Sequence, residues 1–136
     1  MREKLKRVFW GGYLSDADCK KVINDSCYRV GYLCDPHTAV AMGVYENYKR
    51  ITRDKTKTVI VSTASPYKFS KAVLQAVAPD AALPETEFDM VDMLNQVSGM
   101  PVPAPLAGLR DKQARFSDVT EADAMPQYVL SALGID

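Results

Sequence analysis

Apolar residues recur at helical spacing along most of the chain, and one short stretch departs from that rhythm. Leu5, Val8 and Phe9 fall on one side of a short amphipathic helix over Glu3–Trp10, which Gly11 and Gly12 stop. Cys19, Val22, Ile23, Cys27 and Val30 form a second stripe. Ser15 opens that helix, Asp18 completes a pair resembling a capping box, and Gly31 is the expected stop. Asp35 then caps a third helix, with Pro36 at its first position, running to about Lys49. Its residues Ala39 to Val44 are all apolar or small, so burial nearly all round is expected, with Ala41 and Gly43 admitting a neighbouring backbone.

The departure is Thr58–Phe69. Thr58 to Val61 is rich in β-branched residues and predicts a buried strand, Thr58–Ser62. Ser62, Thr63, Ala64 and Ser65 follow as a small, hydroxyl-rich turn. Ser65 is the expected N-cap and Pro66 the first helical residue, before a stripe of Phe69, Val73, Ala76 and Val77. Pro79 ends that helix. Pro84 starts another with the stripe Phe88, Val91, Leu94 and Val97, stopped by Gly99. Pro101, Pro103 and Pro105 make an extended connector, with Leu106 and Leu109 anchoring a short turn. Thr120 with Asp123 is the expected cap of a final helix, best formed over Gln127–Leu133 because Pro126 interrupts its start. Tyr32–Cys34 is the other strand candidate. The expected fold is therefore α/β but predominantly helical, with about one central strand and about five or six helices in a single domain over 1–136.

A lone strand leaves its backbone hydrogen bonds unmade. It must pair with another chain or with a segment outside this one. The uncapped start points the same way, toward a chain that is part of something larger, and so toward a homo-oligomer or a separate N-terminal part as partner.

Charge narrows the partners further. Lys and Arg number 17, as do Asp and Glu, so net charge is zero and neither nucleic acid nor an anionic membrane is expected as a partner. No stretch approaches the roughly 20 apolar residues of a membrane span. Cys19, Cys27 and Cys34 lack zinc-ligand spacing and read as reduced thiols of a cytoplasmic protein, with Cys19 and Cys27 on the buried face of their helix.

Two places carry candidate chemistry. A hydroxyl turn between the end of a strand and a helix N-terminus is where α/β proteins tend to hold ligands. A well-capped turn with no ligand has the same pattern, and the pattern alone favours it, since capped turns far outnumber sites. His37, the single histidine, begins a buried helix and reads as a hydrogen-bonded structural residue rather than a general base. No second histidine or carboxylate recurs at ligand spacing, so no metal site is expected.

The segments GYLCDPHTAVA (31–41) and VIVSTASPYKF (59–69) resemble threonine synthase, a pyridoxal-phosphate enzyme of the tryptophan-synthase-like fold type II. FWGGYLSD (9–16), the spaced prolines and the short terminal helix fit the same order. The resemblance covers the whole chain but only the C-terminal part of a family member. It implies an enzyme that converts O-phosphohomoserine and water to threonine and phosphate, with a lysine holding pyridoxal 5'-phosphate and a glycine-rich loop holding its phosphate. A strand-end hydroxyl bonds the pyridine nitrogen. That role falls on Thr63, with Ser62 as the alternative, and Asp35 matches an acidic residue standing behind the cofactor site. Many relatives carry histidine at the position of Ser65. No lysine here stands in the cofactor-binding context and no glycine-rich cradle is present. The fragment alone is thus expected to bind no cofactor and be inactive, with no catalytic residue of its own. The alternative is a non-catalytic interaction module that self-associates or docks on another subunit.

Overall fold

The computed structural model describes residues 2–135. Among them are seven α-helices and no strand: α1 (Arg2–Lys6), α2 (Asp16–Asp25), α3 (Pro36–Thr52), α4 (Ser70–Val77), α5 (Glu87–Ser98), α6 (Ala104–Ala107) and α7 (Met125–Ala132). Helix α2 packs on α3 along one side and on α4 along the other, and α5 covers the far side of α4. Ile23, Leu33, Cys34, Ala39, Tyr67, Val73, Leu74, Met90, Val91 and Leu94 fill the space between them.

The caps read from sequence are largely in place. The Ser15 side chain accepts from the Asp18 amide at 3.1 Å and donates to the Asp18 carboxylate at 2.6 Å. Asp35 accepts from the His37 amide, and Ser65 from the Tyr67 amide, each with proline directly after the cap. These side chains take up amides that the first helical turn leaves unpaired. Gly31 ends its helix at φ 74°, a left-handed conformation that suits glycine.

Several expectations are corrected. Thr58–Ser62 has no regular secondary structure rather than forming a strand, and neither has Tyr32–Cys34. A strand needs a partner for its ladder, and none of the described residues supplies one. Val59 is 87% exposed as a result. Helix α1 stops at Lys6, short of Trp10. Helix α2 ends at Asp25 and continues as a π-helical turn, Ser26–Val30. A π turn fits more residues per revolution, so Val30 rotates off the stripe and is 71% exposed.

Helix α3 is not buried all round. Thr38, Ala39 and Gly43 are buried, whereas Ala41 is exposed, because only α2 packs along this helix in quantity. Gly43 is approached by the Leu14 side chain rather than by a backbone. Helix α5 begins at Glu87, where Thr86 rather than Pro84 sets the start by accepting from the Asp89 amide. Its buried stripe is Met90, Val91 and Leu94. Thr120 and Asp123 do not cap α7. A short 3-10 turn, Ala122–Ala124, leads in, and Pro126 lies within the first turn, where its missing N–H costs nothing. All of 107–135 is exposed.

Candidate functional site

The start of α3 holds a carboxylate with no exposure to solvent. Asp35 precedes Pro36, which fixes the chain direction and leaves the Asp35 side chain folded back over the first turn. Its Oδ1 accepts from the His37 amide and faces His37 Nδ1, both at 2.9 Å. Its Oδ2 accepts a short hydrogen bond from the Thr38 hydroxyl. Burial pushes the Asp35 carboxyl up. The hydrogen bonds from Thr38 and His37 pull it down further, and it lies below the ordinary carboxylate value.

Thr38 carries this anchor outward. Its Oγ1 is 3.0 Å from Oγ of Ser62, across 24 residues of chain. The Tyr32 hydroxyl reaches the same Ser62 oxygen at 3.2 Å. Asp35 and Ser62, both singled out from the sequence, are thus joined through Thr38. Thr63 is the next residue along and is exposed, and no hydrogen bond among the described residues occupies its hydroxyl. His37 also packs edge-on against Phe69, with ring centroids 5.0 Å apart, which ties the start of α3 to the helix after the turn.

Thr38 and Tyr32 were not singled out from the sequence. A signal for Thr38 was present: it stands three residues after the cap Asp35, the spacing at which a side chain can reach back to the cap. Tyr32 gave no such signal, since its contact depends on where a distant loop passes.

Other surroundings of the turn are modest. Ser65, Lys68, Pro103, Pro105, Leu106 and Leu109 line a depression of about 200 Å³. A groove of about 560 Å³ opens between α2 and α3, lined by Asp18, Lys21, Asp25, Glu46, Met42 and Ile60 among others. Burial pushes the thiols of Cys19, Cys27 and Cys34 up, which makes thiolate chemistry unfavourable there.

The described residues thus form a helical domain that presents neutral hydroxyls on a turn, backed by a buried carboxylate. The chain belongs to the family described as "Threonine synthase, C-terminal", which matches residues 38–129. It is similar to Threonine synthase-like 1 of Homo sapiens, 34% identical over 100 residues that cover 73% of this chain and 13% of that protein. It is also similar to Threonine synthase-like 1 of Mus musculus, 30% identical over 124 residues, covering 89% of this chain and 16% of that protein. Threonine synthase of Corynebacterium glutamicum is 27% identical over 127 residues, covering 92% of this chain and 22% of that protein. The chain therefore spans about a sixth of the length of these threonine synthase-like relatives or less. Among the described residues no helix is long and apolar enough to cross a membrane.

Proposed function

We propose that this chain is the C-terminal segment, 1–136 as one domain, of a threonine synthase acting on O-phosphohomoserine and water to give threonine and phosphate. In that reading it supplies the side of a pyridoxal 5'-phosphate site that faces the pyridine nitrogen. The observation that carries it is the fixed hydroxyl turn: Ser62 is held through Thr38 to buried Asp35, and Thr63 is left exposed beside it. The donor set fits one edge of the cofactor, since a neutral hydroxyl can bond a pyridine nitrogen without forcing a proton onto it. When bound, the cofactor supplies an electron sink for chemistry at the amino-acid carbon. This chain's part is to orient the ring through Thr63, with Ser62 and Asp35 supporting the turn.

The lysine and the phosphate cradle belong, in this proposal, to an upstream portion of the enzyme. That portion would also pair with the segment 58–62. A cytoplasmic location suits the reduced thiols. The test mixes the purified chain with equimolar pyridoxal phosphate and O-phosphohomoserine and follows absorbance and free phosphate. No saturable spectral change and no phosphate release above free cofactor are expected from the chain alone. Saturable cofactor uptake with turnover would overturn the division of labour.

A second reading, a self-associating or docking module without catalysis, is favoured by the exposed apolar residues Val59, Val61, Phe116 and Val119. Either reading predicts association, because such surface seeks cover. Light scattering at micromolar concentration should find dimers or larger species, and a strict monomer would count against self-association.

A further inference from the structure

The hydroxyl chain behind the turn has a direction, and that direction decides which of two adjacent hydroxyls is free to donate. An ionised carboxylate only accepts hydrogen bonds, and a threonine hydroxyl has a single proton. Asp35 is fully buried, and its carboxyl stays ionised well into acid because Thr38 and His37 donate to it. The Thr38 proton is therefore committed to Asp35 Oδ2. The 3.0 Å bond between Thr38 and Ser62 must then be made by the proton of Ser62, with Thr38 Oγ1 accepting. Tyr32, 3.2 Å from Ser62 on the other side, donates to Ser62 Oγ. Protons run one way, from Tyr32 to Ser62 to Thr38 to Asp35. Ser62 has none left for a ligand.

We propose that Thr38 and Tyr32 are positioning residues. Through Thr38, Asp35 consumes the Ser62 proton while Tyr32 donates to the Ser62 oxygen, which leaves Thr63 as the sole hydroxyl of the pair able to donate to an acceptor nitrogen. This rests on the reading of the turn as cofactor-facing, but the relay itself can be tested without cofactor. It assigns Ser62 to holding the turn, and Thr63 to bonding the ring. It also explains a sequence choice: valine at position 38 would fill the same space and cut the relay, since it has no oxygen to pass the bond on.

The experiment measures hydroxyl-proton exchange with water by NMR on the full chain, with Ser and Thr isotopically labelled. The Ser62 hydroxyl should exchange about threefold to tenfold more slowly than that of Thr63, as expected for a hydroxyl proton engaged in one net hydrogen bond. Thr38→Val should bring Ser62 to the Thr63 rate, whereas Thr38→Ser, which keeps the oxygen, should restore slow exchange. Thr63→Val should leave the Ser62 rate unchanged. Tyr32→Phe should leave Ser62 slow, because Tyr32 donates to that oxygen and does not receive its proton. Equal exchange at Ser62 and Thr63 in the unaltered chain overturns the relay, as does a slow Ser62 in Thr38→Val. Failure of the cofactor reading has a separate signature. In an intact enzyme containing this segment, cofactor binding indifferent to Thr63→Ala would sink that reading while leaving the exchange pattern as described.

Discussion

The side chain of Asn24 donates to the backbone carbonyl of Ala76 at 2.9 Å, so α2 closes the end of α4 across 52 residues of chain. Four residues along, the Tyr28 hydroxyl donates to the carbonyl of Val77 at 2.6 Å. The last carbonyls of a helix have no partner within it. Here two side chains from one neighbouring segment provide them, Tyr28 from within the π turn. Asn24→Ala should destabilise the fold by about 1–2 kcal/mol, read from urea unfolding. Tyr28→Phe should cost about 1 kcal/mol while leaving the ring's packing intact. If Asn24→Ala left the midpoint unchanged, the carbonyl would have found water at no cost.

Acid should unfold the protein through its bonded carboxylates. Asp35 lies below its ordinary value of 3.8, and Asp54, bonded by the Tyr48 hydroxyl and by Thr56, is lowered to about 2. Between the unfolded and folded values the unfolded chain binds more protons, so stability rises with pH across that interval. The Asp54 contribution is therefore complete above 3.8 and is lost as pH falls from 3.8 toward 2, and the Asp35 contribution is likewise lost below 3.8. Urea midpoints measured from pH 6 downward should fall in that interval, and Asp35→Asn should flatten the fall. Asp35→Ala at neutral pH should cost about 2 kcal/mol, since it strips the cap and two further hydrogen bonds.

Core and surface substitutions should separate cleanly. Leu74 is fully buried on α4, the helix that packs against both α2 and α5, and Leu74→Ala should cost about 2–5 kcal/mol. Val119 is 95% exposed, and Val119→Ala should stay within about 0.5 kcal/mol. A large loss at Val119 would mean that an associated chain covers it in solution, which a concentration-dependent melting temperature would reveal.

The thiols give a fourth check. Cys34 is fully buried and its thiol is pushed up by burial, so an aromatic disulfide reagent at pH 8 should miss it in the folded chain. Cys19 and Cys27 are half-buried and should react slowly. All three should react at once in denaturant. Fast labelling of Cys34 under native conditions would show that the junction before α3 opens readily.

Most of the helices and several of their caps were legible in the sequence because their causes are local. Ser15, Asp35, Ser65, Gly31 and Gly99 act on amides and carbonyls within a few residues, and a pattern of neighbours suffices to see them. The family was legible for a related reason, in two short segments around Asp35 and Ser62. The absence of a strand at 58–62 was not, because a strand exists only with a partner, and β-branched residues alone cannot supply one. Nor was the register of Val30, which turns on one extra residue in a π turn. The link from Asp35 through Thr38 to Ser62 was also decided by tertiary structure. The sequence could propose both ends. A hydroxyl bonds only what the fold brings to about 3 Å, and packing of α3 beside the segment 58–62 sets that distance.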